Sequence, residues 1–326
     1  MKILGGTLCI SLDTEYFWGV HDTTTAETYG GNVRQARKEA IPGMLRLFEK
    51  YGIHATWAMV GAAFAQSYEE LEAALPTKSL RPTYKDESRN PFDLLNAIKE
   101  EAENISIFLA GDDIDRIRSV PGQAIGTHTF SHYYCCEEGQ TTEQFSADME
   151  AALRIAKRHD VTLKSIVFPK MQYTEAYLSE AAASGIAVFR GIEDNWIYRW
   201  KLPLLLRRGL RLLDAYFPLS GHNCHKPKME SGMLNVCGSR ILKPYSKLLS
   251  LLEPLKICRI KSQMRYAAKH DMVFHLWWHP HNFGAFTEKN LTSLEKILKY
   301  YRSLQEQYGM KSRNMEELYD EFQLAK

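Results

Sequence analysis

Thr7–Glu15, with the sequence TLCISLDTE, is an apolar, strand-like run that ends in two carboxylates. Residues two apart on a strand share a face and lie roughly 6–7 Å apart. Asp13 and Glu15 are therefore expected on the same side of the strand. One carboxylate can bind a cation while the other reaches a water on that cation. The alternative is a solvated strand end that happens to carry two acids.

A second stretch, Gly126–His132 with the sequence GTHTFSH, places two histidines four residues apart beside an apolar segment. If the chain becomes helical after His128, this spacing puts both imidazoles on one face. Two neutral imidazoles and a carboxylate form a three-ligand metal site with open positions for water and substrate. A pair of structural histidines is the alternative.

Strand-like and helix-like segments alternate along the chain, which predicts an α/β fold with a mostly parallel sheet. The expected strands end at polar or unusual residues, and in α/β barrels the chemistry gathers at the C-terminal ends of strands. These strand-end residues are Asp13, His128, Pro169, Arg190 and His279. His275 would lie about 13 Å from His279 along an extended strand, so it is predicted to be a packed histidine.

Hydrophobic periodicity gives approximate boundaries. A polar loop is expected over 19–32, and a capping-box-like start is expected at Thr142. Residues 62–115 resemble an insertion with a polar, proline-containing middle, and 197–265 form a second, basic insertion. The predicted strands are 7–13, 54–60, 165–168, 187–189 and 271–278, and the predicted helices are 33–51, 142–159, 175–184 and 288–308.

Composition narrows the class of protein. The 326 residues are 45% apolar and 25% charged, which is typical of a soluble globular protein. We find no apolar run of about 18 residues that would predict a transmembrane helix, and no signal-peptide-like start. The six cysteines include no CxxC pair and are expected to be free thiols. These features predict a cytoplasmic protein.

Charge is distributed unevenly along the chain. Residues 199–269 hold 15 Lys or Arg against 3 Asp or Glu, an excess of +12 that leaves −10 on the rest of a chain of net charge +2. Within this block, 200–213 and 241–255 mix apolar and cationic residues at helical spacing. Such helices bind anionic membrane surfaces, or pack on a barrel with their charges solvated. Peripheral contact with the inner membrane face is predicted through 199–269, and nucleic-acid binding is not, because no recognised motif is present.

His222 and His225 flank Cys224 within the basic block. Histidine and cysteine are zinc ligands, so a second zinc site is one interpretation of this trio. A plain loop is the other.

Several motifs together resemble the NodB-type polysaccharide deacetylases of carbohydrate esterase family 4. The match covers most of the chain outside the two insertions, and the two-histidine motif is its most specific part. Gly126–His132 is similar to the family's H-[ST]-x-x-H motif, Tyr51–Trp57 to its ygi-aTfF strand, Ser11–Glu15 to T-F-D-D-G, Phe168–Lys170 to R-x-P-[YF], Asp194–Trp196 to D-x-W, and His279-Pro280 to L-H-P.

The resemblance implies a distorted (β/α) barrel of the NodB type, formed as a single domain over 1–326. It also implies one divalent metal, held by a carboxylate and two histidines, and removal of an acetyl group from a sugar. Carried over by motif, Asp13 is the general base and His128 and His132 are ligands. His279 is the acid that protonates the leaving group.

The chain departs from the family pattern at two positions. Thr14 stands in place of the second Asp, so the third ligand is assigned to Glu15, as in D-x-E branches of the family. Val167 stands in place of the Arg that usually supports the base, and either Arg190 or Lys170 is expected to replace it.

The expected substrate-binding residues follow the same motifs. A backbone N–H near Lys170 is expected to help stabilise the oxyanion, and a tryptophan can stack on a sugar ring or simply pack in the core. Trp277 is a further candidate for stacking. The substrate-binding set is Pro169, Lys170, Arg190, Trp196 and Trp278.

The sequence thus predicts a hydrolase of C–N bonds other than peptide bonds. It would deacetylate an N-acetylated sugar, nucleotide- or lipid-linked, in surface-polysaccharide or lipopolysaccharide assembly. Zinc is the expected metal, and cobalt, nickel, iron and manganese accept the same mixed ligands. Two alternatives stay open: hydrolysis of another C–N bond, such as a ring amide, and a barrel that binds glycan without turnover.

Overall fold

A computed structural model describes residues 5–100, 105–200 and 202–324. Within them the chain forms a sheet in the order β6-β7-β5-β4-β3-β2-β1-β9-β8, with β10 beside the start of β1. The strands pair in parallel except for β6 and β7, which are antiparallel. Their bounds are β1 Thr7–Thr14, β2 Ala55–Met59, β3 Gln123–Thr127, β4 Ser165–Ile166, β5 Val188–Phe189, β6 Lys228–Glu230, β7 Met233–Asn235, β8 Arg240–Ile241, β9 Val273–Trp278 and β10 Lys311–Arg313.

Helices surround this sheet and fill the connections between its strands. In the described ranges they are α1 Ala26–Gln35, α2 Ile41–Tyr51, α3 Tyr68–Ala74, α4 Leu94–Glu100, α5 Ile105–Phe108, α6 Gly111–Arg118, α7 Thr142–Arg158, α8 Glu175–Ala183, α9 Trp196–Arg199, α10 Leu204–Asp214, α11 Glu253–Lys269, α12 Thr287–Tyr308 and α13 Met315–Leu324.

The central strand β1 is buried on both faces, as expected for a strand inside a parallel sheet. Leu8, Ile10 and Leu12 belong to the large core between sheet and helices. Cys9 points the other way, into a smaller cluster enclosed by the curled sheet. Asp13 follows Cys9 by four residues, so it points to that inner face as well.

The segment 233–241 brings the two sides of the sheet together. It begins as β7, beside β5, and ends as β8, beside β9. Between these strands, the Gly238 N–H donates to the Gly191 carbonyl and the Ser239 N–H donates to the His275 carbonyl, both at 2.9 Å. The sheet therefore curls into a distorted (β/α) barrel, which confirms the predicted fold class.

Helix α13 closes the end of the barrel at which the strands begin. Met315, Leu318 and Phe322 pack into the enclosed cluster with Cys9. The Met315 N–H donates to Thr56 Oγ1 at 2.9 Å, near the start of β2. The C-terminal ends of the strands are left for the functional site.

Several predicted boundaries differ from the structure. The loop predicted over 19–32 is wrong in its second half, because α1 starts at Ala26 and continues through a π-helical turn, Ala36–Ala40, into α2. The N-cap of α7 is Thr141 rather than Thr142. Thr141 Oγ1 accepts from the Gln144 N–H at 3.2 Å, and Gln144 Oε1 accepts from the Thr141 N–H at 3.1 Å.

The basic block contains elements that the sequence did not indicate. β6, β7 and β8 are two or three residues long, too short for a periodic pattern. The second predicted amphipathic stretch, 241–255, is irregular until a short 3₁₀ turn at Ser250–Leu252 leads into α11. The division into one domain with insertions at 62–115 and 197–265 stays a prediction.

No helix in the described ranges is both long enough and apolar enough to cross a bilayer.

Candidate active site

The two acids of the opening strand lie side by side at the C-terminal end of β1. Asp13 and Glu15 are 3% and 4% exposed. Thr14, between them, faces the other way and donates to the Leu12 carbonyl at 3.3 Å. The alternation of β1 thus delivers both carboxylates to one buried place, as the two-residue spacing indicated.

The two histidines of GTHTFSH reach the same place from a loop. The chain does not become helical after His128, which was the condition for both rings to share a helix face. β3 ends at Thr127, and Thr129 and His132 have positive φ values of 62° and 60°. Even so, His128 Nε2 and His132 Nε2 lie 3.2 and 2.9 Å from Glu15 Oε2. The loop therefore brings the two rings together without helical spacing.

Asp148, on α7, holds this histidine loop in shape. Its carboxylate accepts from the backbone N–H groups of Phe130 and Ser131 at 2.9 and 3.0 Å, and from Ser131 Oγ at 2.6 Å. Burial raises the pKa of Asp148 to about 6. Asp148 could not be recognised from the sequence, because nothing in the pattern of α7 links it to a loop about 20 residues earlier.

The donor set of Glu15, His128 and His132 fits a divalent metal ion. His128 Nδ1 lies 2.7 Å from the Val167 carbonyl, which only accepts, so Nδ1 carries the proton and Nε2 presents a lone pair to Glu15. In a neutral ring with this tautomer, Nε2 can ligate a cation that is shared with Glu15 Oε2, 3.2 Å away. In the described ranges His132 Nδ1 has no partner, and one ligand atom from each residue falls within 4.8 Å of the others.

Electrostatics keep these groups in the protonation states that a metal requires. Burial alone would raise the pKa of Glu15, but the neighbouring histidines, His279 first, bring it well below its usual value. Burial lowers the pKa of His132 to about 4. At neutral pH the cluster therefore offers a carboxylate and an uncharged imidazole.

Asp13 is held by Arg190, which lies just after β5. The guanidinium Nη1 and Nη2 donate to Asp13 Oδ1 and Oδ2 at 2.6 and 2.7 Å. Burial would raise the pKa of Asp13, but the positive charge of Arg190 outweighs it and lowers that pKa. Of the two cations proposed to replace the missing motif Arg, Arg190 contacts Asp13. Lys170 instead donates to Asp22 Oδ2 at 2.5 Å.

A hydrogen-bonded chain supports Arg190 from behind. Its Nη1 also donates to Ser11 Oγ at 2.9 Å, and Ser11 Oγ lies 2.8 Å from His275 Nε2. His275 Nδ1 lies 3.0 Å from the Val236 carbonyl. Because that carbonyl only accepts, His275 is neutral with its proton on Nδ1, and it is packed rather than exposed to substrate.

Two further histidines approach from the segment after β9. His279 Nε2 lies 3.4 Å from Glu15 Oε1 and 3.7 Å from Asp13 Oδ2, and its side chain is 23% exposed. His281 Nε2 lies 3.8 Å from Glu15 Oε1 and is buried. His281 was not predicted as a site residue, although its spacing of two residues from His279 was a signal that could have indicated it.

The predicted substrate-binding residues are scattered. Pro169 is buried, and Lys170 has a φ of 52° with its ammonium 4.2 Å from the Tyr134 ring. Trp196 donates from Nε1 to the Leu219 carbonyl at 3.0 Å. None of these contacts by itself marks a sugar subsite.

The assignments of Trp278 and Arg190 to substrate binding need correction. Trp278 is in the core, where its ring stacks on Phe283 at 5.9 Å, so no sugar ring can reach it. Arg190 is buried against Asp13 and acts as its support. Trp277 is the tryptophan of β9 on the inner face, with its ring 4.2 Å from the Arg190 guanidinium and 5.8 Å from the His279 ring.

The trio in the basic block does not assemble into a zinc site. The His222 ring stacks on Tyr266 at 4.0 Å, and Cys224 Sγ lies 3.3 Å from the Gln263 carbonyl. Over the ranges that the structure describes, the Glu15 cluster is the one group of three or more His, Cys, Asp or Glu placed to share an ion.

Comparison with known proteins agrees with this geometry. Residues 30–189 match the polysaccharide deacetylase family model. No curated protein matches the chain in sequence.

Solved structures share the fold at low sequence identity. A Mycobacterium smegmatis protein described as a polysaccharide deacetylase superposes with a TM-score of 0.63 at 9% identity, covering 100% of this chain and 93% of its own. A Pseudomonas aeruginosa PAO1 protein, also described as a polysaccharide deacetylase, gives 0.52 at 11% identity, covering 97% and 91%. Puue allantoinase gives 0.55 at 10% identity, covering 98% and 91%.

The family model includes the histidine loop, whose His128 and His132 share a centre with Glu15 from β1. Residues 30–189 therefore match a polysaccharide deacetylase domain, and the chain shares the NodB-type barrel of polysaccharide deacetylase structures.

Proposed function

We propose that the protein is a metal-dependent hydrolase that removes an acetyl group from an N-acetylated sugar. This proposal rests on one observation: two neighbouring carboxylates have different hydrogen-bond partners. Glu15 faces two imidazoles, and Asp13, two residues away, is gripped by Arg190. One acid is thus suited to hold a cation and the other to accept a proton.

Each residue near this centre has a defined task in such a reaction. Glu15, His128 and His132 would hold the ion, which when bound supplies a polarised water and stabilises the oxyanion. Asp13, ionised and oriented by two N–H groups of Arg190, accepts the proton of the attacking water. His279 gives a proton to the departing amine. Its partial exposure and its position between Asp13 and Glu15 suit this role.

Zinc is the metal we propose. A site of two imidazoles and one carboxylate leaves a fourth position for water, the usual arrangement of catalytic zinc. Cobalt, nickel, iron and manganese accept the same ligands, so metal analysis of the purified protein decides between them.

For the natural substrate we propose a nucleotide- or lipid-linked sugar of surface-polysaccharide or lipopolysaccharide assembly, handled in the cytoplasm at the inner membrane face. The support is the excess of +12 over 199–269, since both carriers are phosphorylated and attract cations. The Pro169–Lys170 segment and Trp196 are the proposed contacts on the sugar side.

Hydrolysis of a ring amide is the second candidate. The specific observation in its favour is that an allantoinase shares the barrel over 98% of this chain. Its sequence identity of 10% supports the fold alone, so acetyl-sugar hydrolysis stays the first proposal.

The test combines metal analysis with acetate release from a pool of N-acetylated nucleotide and lipid-linked sugars. We expect about one metal per chain in the wild type, lost in His128→Ala and kept in His270→Ala, which alters an exposed histidine outside the site. Acetate should be released by the wild type and by His270→Ala. Bound metal without acetate release would favour hydrolysis of a ring amide. Absence of metal even after reconstitution would contradict the hydrolase proposal and favour a barrel that binds glycan without turnover.

A further inference from the structure

Helix α10 carries its apolar face outward. Leu205, Leu206, Leu212 and Leu213 lie on one side of the helix, since positions i, i+1, i+7 and i+8 share a face. Leu205 is 80% exposed and Leu206 is 52% exposed, and the other two are exposed as well.

The polar side of the same helix faces the protein. Asp214 is buried, and its Oδ2 accepts from Arg240 Nη2 at 2.7 Å. The Arg211 guanidinium lies 4.9 Å from the ring of Tyr198, and Arg207 is half-buried. A surface helix normally buries its apolar stripe. Helix α10 has the opposite orientation, with its apolar stripe facing solvent. Its leucines therefore require an apolar environment from outside this chain to be buried.

Flanking residues extend this apolar face. Trp200 is 61% exposed before the helix, and Phe217 and Leu219 are exposed after it. We refer to α10 with these three residues as the leucine face. Exposed apolar surface of this extent marks an interaction site, and tryptophan and phenylalanine are residues that settle at a membrane interface.

The positive charge around the leucine face indicates what kind of partner covers it. Residues 196–220 contain five Lys or Arg and one acid, Asp214, which is already paired with Arg240. A second copy of the chain would bring the same positive charge against it, and a nucleic acid would leave the leucines uncovered. We propose that the leucine face inserts into the headgroup region of an anionic lipid bilayer, where acyl chains cover the leucines and anionic headgroups attract the surrounding cations.

Three successive side chains connect the leucine face with the candidate active site. Arg211, on the inner side of α10, lines a small cavity together with Glu193. Glu193 interacts with both Arg211 and Trp277. Trp277 in turn packs against Arg190 and His279. A bound bilayer would therefore be connected to the reacting centre through Arg211, Glu193 and Trp277, and the link to a lipid-carried sugar rests on the proposed function.

Vesicle flotation tests the leucine face. We expect the wild type to float with vesicles of phosphatidylglycerol and phosphatidylcholine, and much less with phosphatidylcholine alone. The variant Leu205→Glu/Leu212→Glu should lose binding by at least about tenfold for each leucine that no longer enters the bilayer. Leu324→Glu is the matched control, because Leu324 is 89% exposed on α13, at the other end of the barrel.

Three outcomes would overturn this proposal: no flotation of the wild type, equal flotation of the double variant, or a dimer in light scattering that the double variant dissociates without any vesicle binding. The double variant should also keep its metal and its acetate release from a soluble acetylated sugar. Conversely, His128→Ala should lose metal and still float, so failure of one proposal is distinguishable from failure of the other.

Discussion

At the scale of single residues, the ion pair with Arg190 sets the orientation of Asp13, the candidate base, and lowers the pKa of its carboxyl group. The usual motif Arg is replaced by Val167, and the guanidinium arrives from the next strand in the sheet, β5, instead of β4. Both side chains are buried, so each would be left as an isolated charge without the other. Arg190 is a positioning residue, because it acts through Asp13.

Arg190→Met tests that role through pH dependence. With the arginine gone, burial dominates and the pKa of Asp13 rises, so the base becomes protonated at higher pH. The acid limb of the kcat/KM profile should move to higher pH, and the free energy of unfolding should fall by about 3–5 kcal/mol.

Arg240→Met is the control for this experiment. It breaks the buried pair with Asp214 and should cost similar stability. It should not move the acid limb, and an equal shift in both variants would rule out a specific effect on Asp13.

Burial lowers the pKa of His275 to about 3, with a further contribution from the Arg190 charge. The unfolded chain therefore takes up a proton at His275 near pH 6.5 while the folded chain does not. The free energy of unfolding should fall as pH drops from about 6.5 toward 3, by up to about 1.4 kcal/mol per pH unit for this one group.

Urea unfolding at a series of pH values measures that slope. His275→Gln should remove up to one proton from the slope, whereas the exposed His270→Gln should leave it unchanged. Identical slopes in the wild type and His275→Gln would show that His275 is not buried as a neutral ring.

At the scale of elements, the histidine loop depends on α7 through a single carboxylate. Asp148→Ala leaves the N–H groups of Phe130 and Ser131 without their acceptor and loosens the positive-φ turn that aims both imidazoles. We expect metal affinity to fall by about 10–100-fold, which is typical when an outer partner of a ligand is removed.

Competition with a chromophoric chelator gives that affinity directly. Ser146→Ala, on the same helix, is the control, because Ser146 Oγ bonds to Glu180 and the Thr142 carbonyl rather than to the loop. Unchanged affinity in Asp148→Ala would mean that the loop holds its shape without this anchor.

The sequence predicted the elements around the motifs better than the loops between them. β1, β2 and β9 were found because each belongs to a largely apolar run, and β3 was inferred from the two-histidine motif that follows it. The turn after His128 was not, since the backbone there depends on a tertiary contact with Asp148. The alternation of side chains along β9 could have predicted which tryptophan faces the site. His275, Trp277 and His279 lie on one face of the strand, so Trp278 lies on the other.

At the scale of the whole molecule, the two ends of the barrel have separate tasks. Helix α13 fills the end where the strands begin, and the candidate site lies at the opposite end. Leu318→Ala should lower the free energy of unfolding by about 2–5 kcal/mol and leave metal affinity unchanged. Chemical denaturation and metal titration check the two halves of this prediction, with the exposed Leu324→Ala as control. A parallel loss of metal affinity would show that the two ends are coupled.

The global architecture was also the part of the fold that the sequence predicted most securely. Alternating strands and helices, with polar or unusual residues at five strand ends, are a pattern set by many residues at once. The short strands β6, β7 and β8 that complete the barrel could not be predicted, because two or three residues pair only where β5 and β9 offer free edges.

The two carboxylates stand at the C-terminal end of β1, a buried strand that is flanked by β2 and β9 along most of its length. The groups that face them, His128, His132 and His279, are carried by connections beyond strand ends. Asp13 and Glu15 therefore form the stationary half of the centre, with a spacing set by the pleat of β1. Any rearrangement of the centre on binding a sugar is therefore expected in these connections rather than in β1.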